Sequence, residues 1–371
     1  MDTDILVVGA GIHGAAVAHA AARRGYRVRV IEQFGRPAEG TSGRSSKLIH
    51  GGLRYLETGQ IRLVRECLRE QRTLLRERPA LVKLVPFYLP VYRRTSRPAW
   101  KIAVGLWLYR LLGGHRFRRL PAGEWQALDG LDSRDLRAVF RYFDAQTDDR
   151  ALTAAVLADA QALGTGVAFG TRLEGIACEA TRCVVHCRGP AGVEAVTAAC
   201  VVNAAGPWVN RVLARATPRP AMLAIELVQG THIVVAGELR RGIYYLEAPQ
   251  DRRAVFAMPW KGRTLIGTTE TPYRDDPADV HPLAAEQAYL LAVYNHYFQR
   301  GLELTDIEDS FAGLRVLPAG EGSAFTRPRE TILHRDPAAP RLLSIYGGKL
   351  TSHAHTARQV MKRLAPLLPG G

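Results

Sequence analysis

The stretch from residue 4 to residue 32 constrains the fold of this chain more than any other part of it. A short apolar run, residues 5–8, stops at Gly9, and further glycines follow at Gly11 and Gly14 before an alanine-rich segment. This Gly-x-Gly-x-x-Gly spacing is typical of the strand, turn and helix that begin a dinucleotide-binding fold. In such a turn Gly9 makes the tight bend, Gly11 lets the backbone approach a pyrophosphate, and Gly14 lets the helix pack against the strand.

An acidic residue supports the same interpretation. The second predicted strand, residues 27–31, ends at Glu32, where a carboxylate accepts the hydroxyls of an adenosine ribose and disfavours a 2′-phosphate. Glycine-rich turns also close ordinary strand–helix corners, but here strand, helix and acid occur in register. We therefore predict a bound dinucleotide cofactor. This unit alone does not distinguish a nicotinamide cofactor from a flavin cofactor.

The length and composition predict a globular protein of two domains. The chain has 371 residues, 47% of them hydrophobic, which is enough to bury a sizeable core. Its apolar runs are too short to span a bilayer, and its amino terminus enters the first strand without the basic segment of a signal peptide. We therefore expect a cytoplasmic protein.

The cysteines and the net charge narrow the choice of ligands. Five cysteines without a Cys-x-x-Cys motif favour neither a disulfide framework nor a zinc site, so we interpret them as reduced packing residues and predict no metal. The formal net charge of +15 fits an anionic substrate, an anionic lipid or a nucleic acid. The charge alone does not choose between these partners.

Two segments predict helices with different surroundings. Residues 60–78 place apolar side chains at helical spacing among charges, which predicts an amphipathic surface helix. Residues 98–112 predict a helix that carries Trp100, Trp107 and Tyr109 between clusters of basic residues. Such a helix suits an interfacial membrane anchor, and it equally suits a core-packed helix with solvated arginines at its ends.

The rest of the chain predicts two interwoven domains. Residues 222–269 contain short apolar runs typical of an antiparallel sheet, whereas a strand over residues 342–346 is followed by a final helix. No linker separates these parts. We predict a nucleotide-binding domain formed by residues 1–78, 145–220 and 305–371, and a substrate domain formed by residues 79–144 and 221–304.

Residues 45–57, which read SSKLIHGGLRYLE, closely resemble the signature of FAD-dependent glycerol-3-phosphate dehydrogenases. Five further segments resemble the same family in the same order, namely residues 203–208, 229–235, 266–270, 311–315 and 346–351. The resemblance implies an α/β fold in which a Rossmann-type FAD-binding domain, like that of glutathione reductase and D-amino-acid oxidase, is joined to an antiparallel-sheet substrate domain. Members of this family commonly continue into a separate helical domain, whereas this sequence reaches Gly371 soon after its last predicted helix.

The resemblance also implies which residues contact the ligands. FAD contacts are expected at Gly9, Gly11, Gly14, Glu32, Ser45, Ser46, Lys47, Ala205, Gly206, Gly348 and Leu350. A substrate pocket is expected from His50, Arg54, Tyr55, His232, Thr268, Arg315, Arg329 and Lys349. Arg327 is an alternative to Arg329 in the alignment of that segment.

The residue types fit the chemistry of a phosphorylated alcohol. Guanidinium and ammonium groups bind phosphate oxygens, and Arg54, Arg315 and Lys349 all lie near glycines, where a ligand can come close. Oxidation of a secondary alcohol needs a hydride acceptor and a base for the hydroxyl proton. His50 and His232 are both candidates for that base, and Arg315 is a candidate to stabilise the developing alkoxide.

We therefore predict oxidation of sn-glycerol 3-phosphate to dihydroxyacetone phosphate, with electrons passed from FAD to a quinone. The expected location is cytoplasmic with peripheral contact on the anionic inner face of the membrane, without nucleic-acid binding. A first alternative is an oxidase of the same fold that acts on an amino or hydroxy acid with oxygen. A second alternative is a non-catalytic basic flavoprotein that binds lipid or nucleic acid.

Overall fold

The computed structural model describes residues 1–319 and 331–368. In these ranges the strands are β1 (Thr3–Val8), β2 (Val28–Ile31), β3 (Leu48–Ile49), β4 (Val82–Tyr92), β5 (Arg118–Arg119), β6 (Leu136–Thr147), β7 (Gly166–Ala168), β8 (Arg172–Cys178), β9 (Cys183–Gly189), β10 (Gly192–Asn203), β11 (Ala216–Thr217), β12 (Ile225–Val235), β13 (Ile243–Glu247), β14 (Ala254–Trp260), β15 (Arg263–Gly267), β16 (Thr271–Tyr273), β17 (Ile307–Pro318), β18 (Ile332–His334) and β19 (Leu342–Tyr346). The helices are α1 (Ile12–Ala22), α2 (Ile61–Glu77), α3 (Ala99–Leu111), α4 (Asp149–Ala162), α5 (Val209–Leu213), α6 (Ala284–Tyr297) and α7 (His353–Leu364).

The first sheet is built around β1. Its strand order is β11-β8-β9-β10-β1-β2-β7, and β19 also pairs with β10. The strands β7, β2, β1, β10 and β19 pair in parallel with one another, whereas β9 and β18 pair antiparallel to β10 and β19. All six residues of β1 are buried, as expected for a parallel strand that is covered on both faces. The carboxyl ends of β1, β2 and β10 therefore meet at one edge of the sheet.

Small side chains let α1 pack closely against this sheet. Alanines along α1, including Ala15, Ala18 and Ala21, are fully buried and form one core with residues of β1, α4 and α7. At Gly14 a Cβ atom would lie 1.9 Å from the carbonyl oxygen of Gly9. The third glycine of the motif is therefore required by the contact between helix and strand.

The second sheet is mostly antiparallel and packs beside the first. Its order is β16-β12-β15-β14-β13-β4-β6-β3, with β17 paired to β12 and β5 to β6. One face of this sheet packs against α6, which contributes Leu290, Val293 and Tyr294 to a shared core. Another core lies between the sheet and the helices α2 and α3, which contribute Leu68 and Leu106. This sheet supplies the wall that stands opposite the glycine-rich turn.

The structure adds strands that the sequence did not predict. The strands β4 and β6 pair along almost their full length, although β4 contains Pro86 and Pro90. Prolines disfavour strands because they lack an N–H. The N–H groups of a strand point alternately to its two edges, so two prolines that are four residues apart both lack their N–H donor at the same edge. The strand β17 lies in the second sheet, whereas the sequence placed residues 305–371 in the nucleotide domain. The domain limits stay a prediction.

The helix α3 covers residues 99–111, within one residue of the predicted limits at each end, and has two different faces. Leu106 and Tyr109 are buried in the core, whereas Trp100 and Trp107 are 70% and 56% exposed. Within the described ranges, no helix combines the length and apolar composition needed to cross a bilayer.

Candidate active site

A cavity of about 650 Å³ opens at the edge where β1, β2 and β10 end. Residues of both sheets line it, from Val8 and Glu32 on the first sheet to His232 and Arg315 on the second. The cavity thus joins the predicted cofactor turn to the predicted substrate residues. The lining includes most residues expected at a ligand, namely Gly9, Gly11, Glu32, Ser45, Ser46, His50, Arg54, Tyr55, Ala205, Gly206, His232, Thr268, Arg315, Gly348, Lys349 and Leu350.

The turn after β1 has no room for side chains. Gly9 has a φ of +102°, and a Cβ there would lie 2.8 Å from the carbonyl oxygen of Ala204. The N–H of Ile12, in the first turn of α1, donates to Ser42 Oγ at 2.9 Å. Bare backbone and a helix N-terminus therefore form this end of the cavity, which suits a pyrophosphate.

The side chain of Glu32 is fixed at the end of β2. Its Oε2 accepts from the backbone N–H of Ala10 at 2.6 Å, and its Oε1 accepts from that of Phe34 at 3.0 Å. Burial raises the pKa of Glu32, and the backbone hydrogen bonds oppose that rise. An oriented carboxylate beside the glycine turn fits the ribose of FAD.

The ammonium group of Lys47 is directed away from the cavity. Lys47 Nζ donates to Asp149 Oδ1 at 2.7 Å and to the carbonyl of Gly43 at 2.9 Å. Asp149 also accepts from the N–H and hydroxyl of Ser45, at 2.9 and 2.7 Å. In the structure, Lys47 therefore orders the loop that carries Ser45 and Ser46, and its side chain is not part of the cavity lining.

Positive groups gather at the other end of the cavity. The turn Leu53–Leu56 follows Gly52, whose φ is +83°, and presents Arg54 and Tyr55 to the cavity. Lys349 Nζ lies 4.1 Å from the centre of the Tyr55 ring. This ammonium group is buried and has no hydrogen-bond partner in the described part of the chain.

Arg315 reaches the cavity from β17. Its Nη1 donates to Glu270 Oε1 at 2.5 Å, and its Nη2 donates to Thr268 Oγ1 at 3.3 Å. Glu270 also lies 3.4 Å from Arg253 Nε. At Gly230, on the neighbouring strand, a Cβ would lie 2.9 Å from Arg315 Nη2. The guanidinium is therefore oriented by a carboxylate and occupies space that a side chain at position 230 would take.

The two predicted histidines lie in different settings. His232 is 2% exposed, its Nε2 is 2.9 Å from Ser46 Oγ, and its ring stacks on Phe311 with centroids 4.9 Å apart. Burial, followed by the nearby charges of Lys47 and Arg315, holds the pKa of His232 well below its usual value. His50 lies on the loop before Gly51, with its ring centroid 6.2 Å from that of Tyr55.

Some predicted residues are placed elsewhere, and some lining residues were not predicted. Gly14 supports the turn from behind, and Arg329 and Arg327 lie outside the described residues. The cavity also takes in Asp144, Tyr245 and Arg253. Asp144 lies on β6, Tyr245 lies on β13, and Arg253 directly precedes β14. No local sequence motif marks the pairing of these strands.

The fold and the cavity are those of a flavin-binding oxidoreductase. The comparisons with known proteins identify the family. The family model described as FAD dependent oxidoreductase matches residues 4–362. The chain belongs to this family, within the group of the FAD-dependent glycerol-3-phosphate dehydrogenases. The predicted fold class and the predicted cofactor FAD are confirmed.

Individual relatives cover nearly the whole chain. A glycerol-3-phosphate dehydrogenase of Pseudomonas aeruginosa is 40% identical over 98% of this chain and 72% of the relative. A D-erythritol 1-phosphate dehydrogenase of Brucella abortus is 37% identical over 99% of this chain and 74% of the relative. The solved structure of the glycerol-3-phosphate dehydrogenase from Bacillus halodurans complexed with FAD has a TM-score of 0.77 and 27% identity. The match covers 99% of this chain and 65% of that chain.

Proposed function

We propose that this protein oxidises sn-glycerol 3-phosphate to dihydroxyacetone phosphate and passes the electrons to a quinone. The observation that carries the proposal is the buried ammonium of Lys349, which has no hydrogen-bond partner in the described ranges and shares its cavity with Arg54 and Arg315. A buried cation needs an anion to offset its desolvation. The names of the relatives give that anion as a polyol phosphate.

The phosphate is bound at the Arg54 end of the cavity. Arg54 supplies a planar guanidinium, which can donate two parallel hydrogen bonds to phosphate oxygens, and Lys349 adds a point charge. Tyr55 carries the Lys349 ammonium on its ring face and limits how far that ammonium can move. The carbon chain of the substrate is thereby directed toward His232 and Arg315.

The oxidation needs a hydride acceptor and a proton acceptor, and the chain provides the second. FAD, when bound, supplies the acceptor for the hydride from C2. We assign His232 as the base for the hydroxyl proton, because burial keeps its ring neutral and Ser46 orients Nε2. Arg315, held by Glu270, stabilises the negative charge that develops on the substrate oxygen.

Anaerobic mixing of the FAD-loaded protein with glycerol 3-phosphate tests this function directly. We expect the visible absorbance of the flavin to bleach with glycerol 3-phosphate and to stay unchanged with glycerol at the same concentration. A Lys349→Met variant that binds FAD normally should need about tenfold more substrate or higher, because a charge-assisted contact to phosphate is lost. Equal bleaching by both alcohols would contradict phosphate recognition.

Two further arms of the experiment separate the alternatives. D-erythritol 1-phosphate is the substrate named for one relative, so its rate of bleaching relative to glycerol 3-phosphate decides the length of the polyol. Reoxidation of the reduced flavin by a soluble quinone should be much faster than reoxidation by oxygen. Rapid peroxide release with an amino or hydroxy acid would instead favour an oxidase.

The exposed face of α3 supports contact with an anionic membrane, where quinones reside. Trp100, Val104, Trp107 and Leu111 are all more than half exposed and follow one another at intervals of four, three and four residues, so they form one stripe. From residue 78 to residue 123 the sequence contains basic residues but no aspartate or glutamate. An apolar stripe with tryptophans, carried by a basic segment of the chain that has no acidic residue of its own, matches a lipid surface rather than a protein partner with a polar rim.

Sedimentation with lipid vesicles tests this docking surface. We expect binding to vesicles that contain phosphatidylserine and little binding to pure phosphatidylcholine, with weakening at high salt. Trp100→Ser/Trp107→Ser should release the protein, whereas Leu304→Ser, at another exposed leucine, should not. Vesicle binding that survives the double substitution would contradict a role for α3.

A further inference from the structure

A buried carboxyl group, which the proposed reaction does not use, lies beneath the turn that carries Arg54 and Tyr55. Asp144 on β6 is 2% exposed and is part of the cavity wall. It contacts the backbone of Gly51, from which the chain continues through Gly52 into that turn. The position of Asp144 therefore connects the second sheet to the loop of the substrate residues.

In each of its described hydrogen bonds, the side chain of Asp144 is the acceptor. The N–H of Gly51 donates to both carboxylate oxygens, at 3.0 and 3.3 Å. The hydroxyl of Tyr109 on α3 donates to Oδ2 at 3.2 Å, and the amide of Gln71 on α2 donates to Oδ1. An ionised carboxylate only accepts hydrogen bonds and matches all of these donors at once, whereas a protonated carboxyl keeps its partners only if the Tyr109 hydroxyl turns to accept.

The loop at Gly51 packs directly against α2 and α3, the two helices whose side chains donate hydrogen bonds to Asp144. A Cβ at Gly51 would lie 2.1 Å from the hydroxyl of Tyr109 and 2.3 Å from a methyl carbon of Leu68. The next residue, Gly52, has a φ of +83°, which favours glycine. The backbone thus approaches the helices as closely as it can, and its amide points at the carboxylate.

The surroundings of Asp144 single it out as the group that titrates near neutral pH. Tyr109, Tyr142 and Cys67 are titratable groups that interact with it, and Cys67 also interacts with the charges of Lys349, Glu66 and Glu70. Burial raises the pKa of Cys67 to about 11 and that of both tyrosines, so these groups stay neutral. Burial also raises the pKa of Asp144, to about 7, against the lowering effect of its hydrogen bonds.

We propose that Asp144 is a positioning residue whose carboxylate fixes the Gly51 amide and thereby holds Arg54 and Tyr55 in the geometry that binds the substrate phosphate. The proposal rests on the proposed function only for the identity of the ligand. The hydrogen bond from the Gly51 N–H lowers the pKa of Asp144, so this contact is stronger in the ionised form and the turn is held more firmly above about pH 7 than below it.

Hydrogen exchange of the FAD-loaded protein, read by mass spectrometry, tests the contact without using the reaction. In Asp144→Asn, which has the same shape but no charge, we expect residues 50–56 to exchange about tenfold faster than in the unmodified protein, because a charge-assisted bond is lost. The KM for glycerol 3-phosphate should rise by a similar factor, with kcat changed by less than about threefold. Tyr109→Phe is the matched control, since it removes one donor and leaves the carboxylate and its bond to Gly51.

Unchanged exchange and unchanged KM in Asp144→Asn would overturn the proposal, as would an equal effect of Tyr109→Phe. If the variant does not fold, the unmodified protein decides the matter between pH 8 and pH 6. After correction for intrinsic exchange, protection of residues 50–56 should fall with the pH while that of Thr3–Val8 stays constant. Constant protection of both segments would refute the role of Asp144. A loosened turn in a protein that ignores glycerol 3-phosphate would refute the proposed function alone.

Discussion

At the scale of single residues, the environment of His232 predicts how the activity depends on pH. Burial places its pKa well below the usual value of 6.5, so the ring is neutral over the whole range above that value. A base acts in its neutral form, and the lowered pKa means that this form persists as the solution becomes more acidic. We expect kcat to stay level from pH 8 to pH 6.5 and to fall only below that range.

The variant His232→Gln should lower kcat by about 10²–10⁴-fold, the usual contribution of a positioned base. The comparison with His50→Gln, which changes the other candidate, shows which ring takes the proton. Should His50→Gln remove the acidic limb of the kcat profile and His232→Gln leave it in place, the assignment of the base would pass to His50.

The buried ion pair of Lys47 and Asp149 predicts a large effect on stability. Both side chains are at most 5% exposed, so removal of the ammonium leaves a carboxylate without its counter-charge in the core. Lys47→Met should lower the free energy of unfolding by about 3–5 kcal/mol, measured by denaturant titration. Lys261→Met is the control, because it breaks the neighbouring pair with Asp148, where Lys261 is 67% exposed, and should cost about 1 kcal/mol or less.

The same pair shows where residue-level prediction from sequence ends. The motif placed Lys47 on the loop near FAD, and the loop does line the cavity through Ser45 and Ser46. The direction of the lysine side chain depends on Asp149, which lies at the start of α4, far away in sequence. Short motifs identify segments that approach a ligand, but a partner brought in by tertiary contact decides which side chain faces it.

At the scale of secondary structure elements, the contact of α1 with β1 makes Gly14 sensitive to the addition of a single methyl group. A Cβ there would lie 1.9 Å from the carbonyl oxygen of Gly9, so the helix must shift away from the turn. Gly14→Ala should cost about 1–3 kcal/mol of stability and weaken FAD binding by about ten- to a hundredfold. Fluorescence titration of the apoprotein with FAD measures the affinity.

Gly35→Ala provides the matched control for this substitution. Gly35 lies on the loop after β2, and a Cβ at that position would meet nothing within 4 Å. Its FAD affinity and its stability should therefore equal those of the unmodified protein. A Gly14→Ala variant that bound FAD as tightly as Gly35→Ala would show that the helix can move away from the strand at little cost.

Helices with a clear periodic spacing of apolar residues were predictable from the sequence. Strands that pair with a segment distant in sequence were not. The helices α2 and α3 lie within one residue of their predicted limits, because the spacing of apolar residues marks them. The strands β4 and β6 were not predicted, because β4 contains Pro86 and Pro90, which lack the N–H of a typical strand residue, and because its pairing partner lies more than forty residues away. Asp144 and its role at Gly51 were hidden for the same reason.

At the scale of the whole molecule, FAD should act as a link between the two sheets. The cavity is lined by β1 and β2 of the first sheet and by β12 and β17 of the second, so a cofactor that fills it contacts both. A ligand that binds only the folded state stabilises it by about 2.7 kcal/mol at a hundred times its dissociation constant.

We expect FAD at that concentration to raise the midpoint of thermal unfolding, and we expect the near-ultraviolet circular dichroism of both parts to be lost together. Calorimetry should then show one transition for the loaded protein. A transition that FAD leaves unmoved, or moves for only part of the unfolding enthalpy, would mean that the cofactor is held by the first sheet alone and that the second sheet unfolds independently.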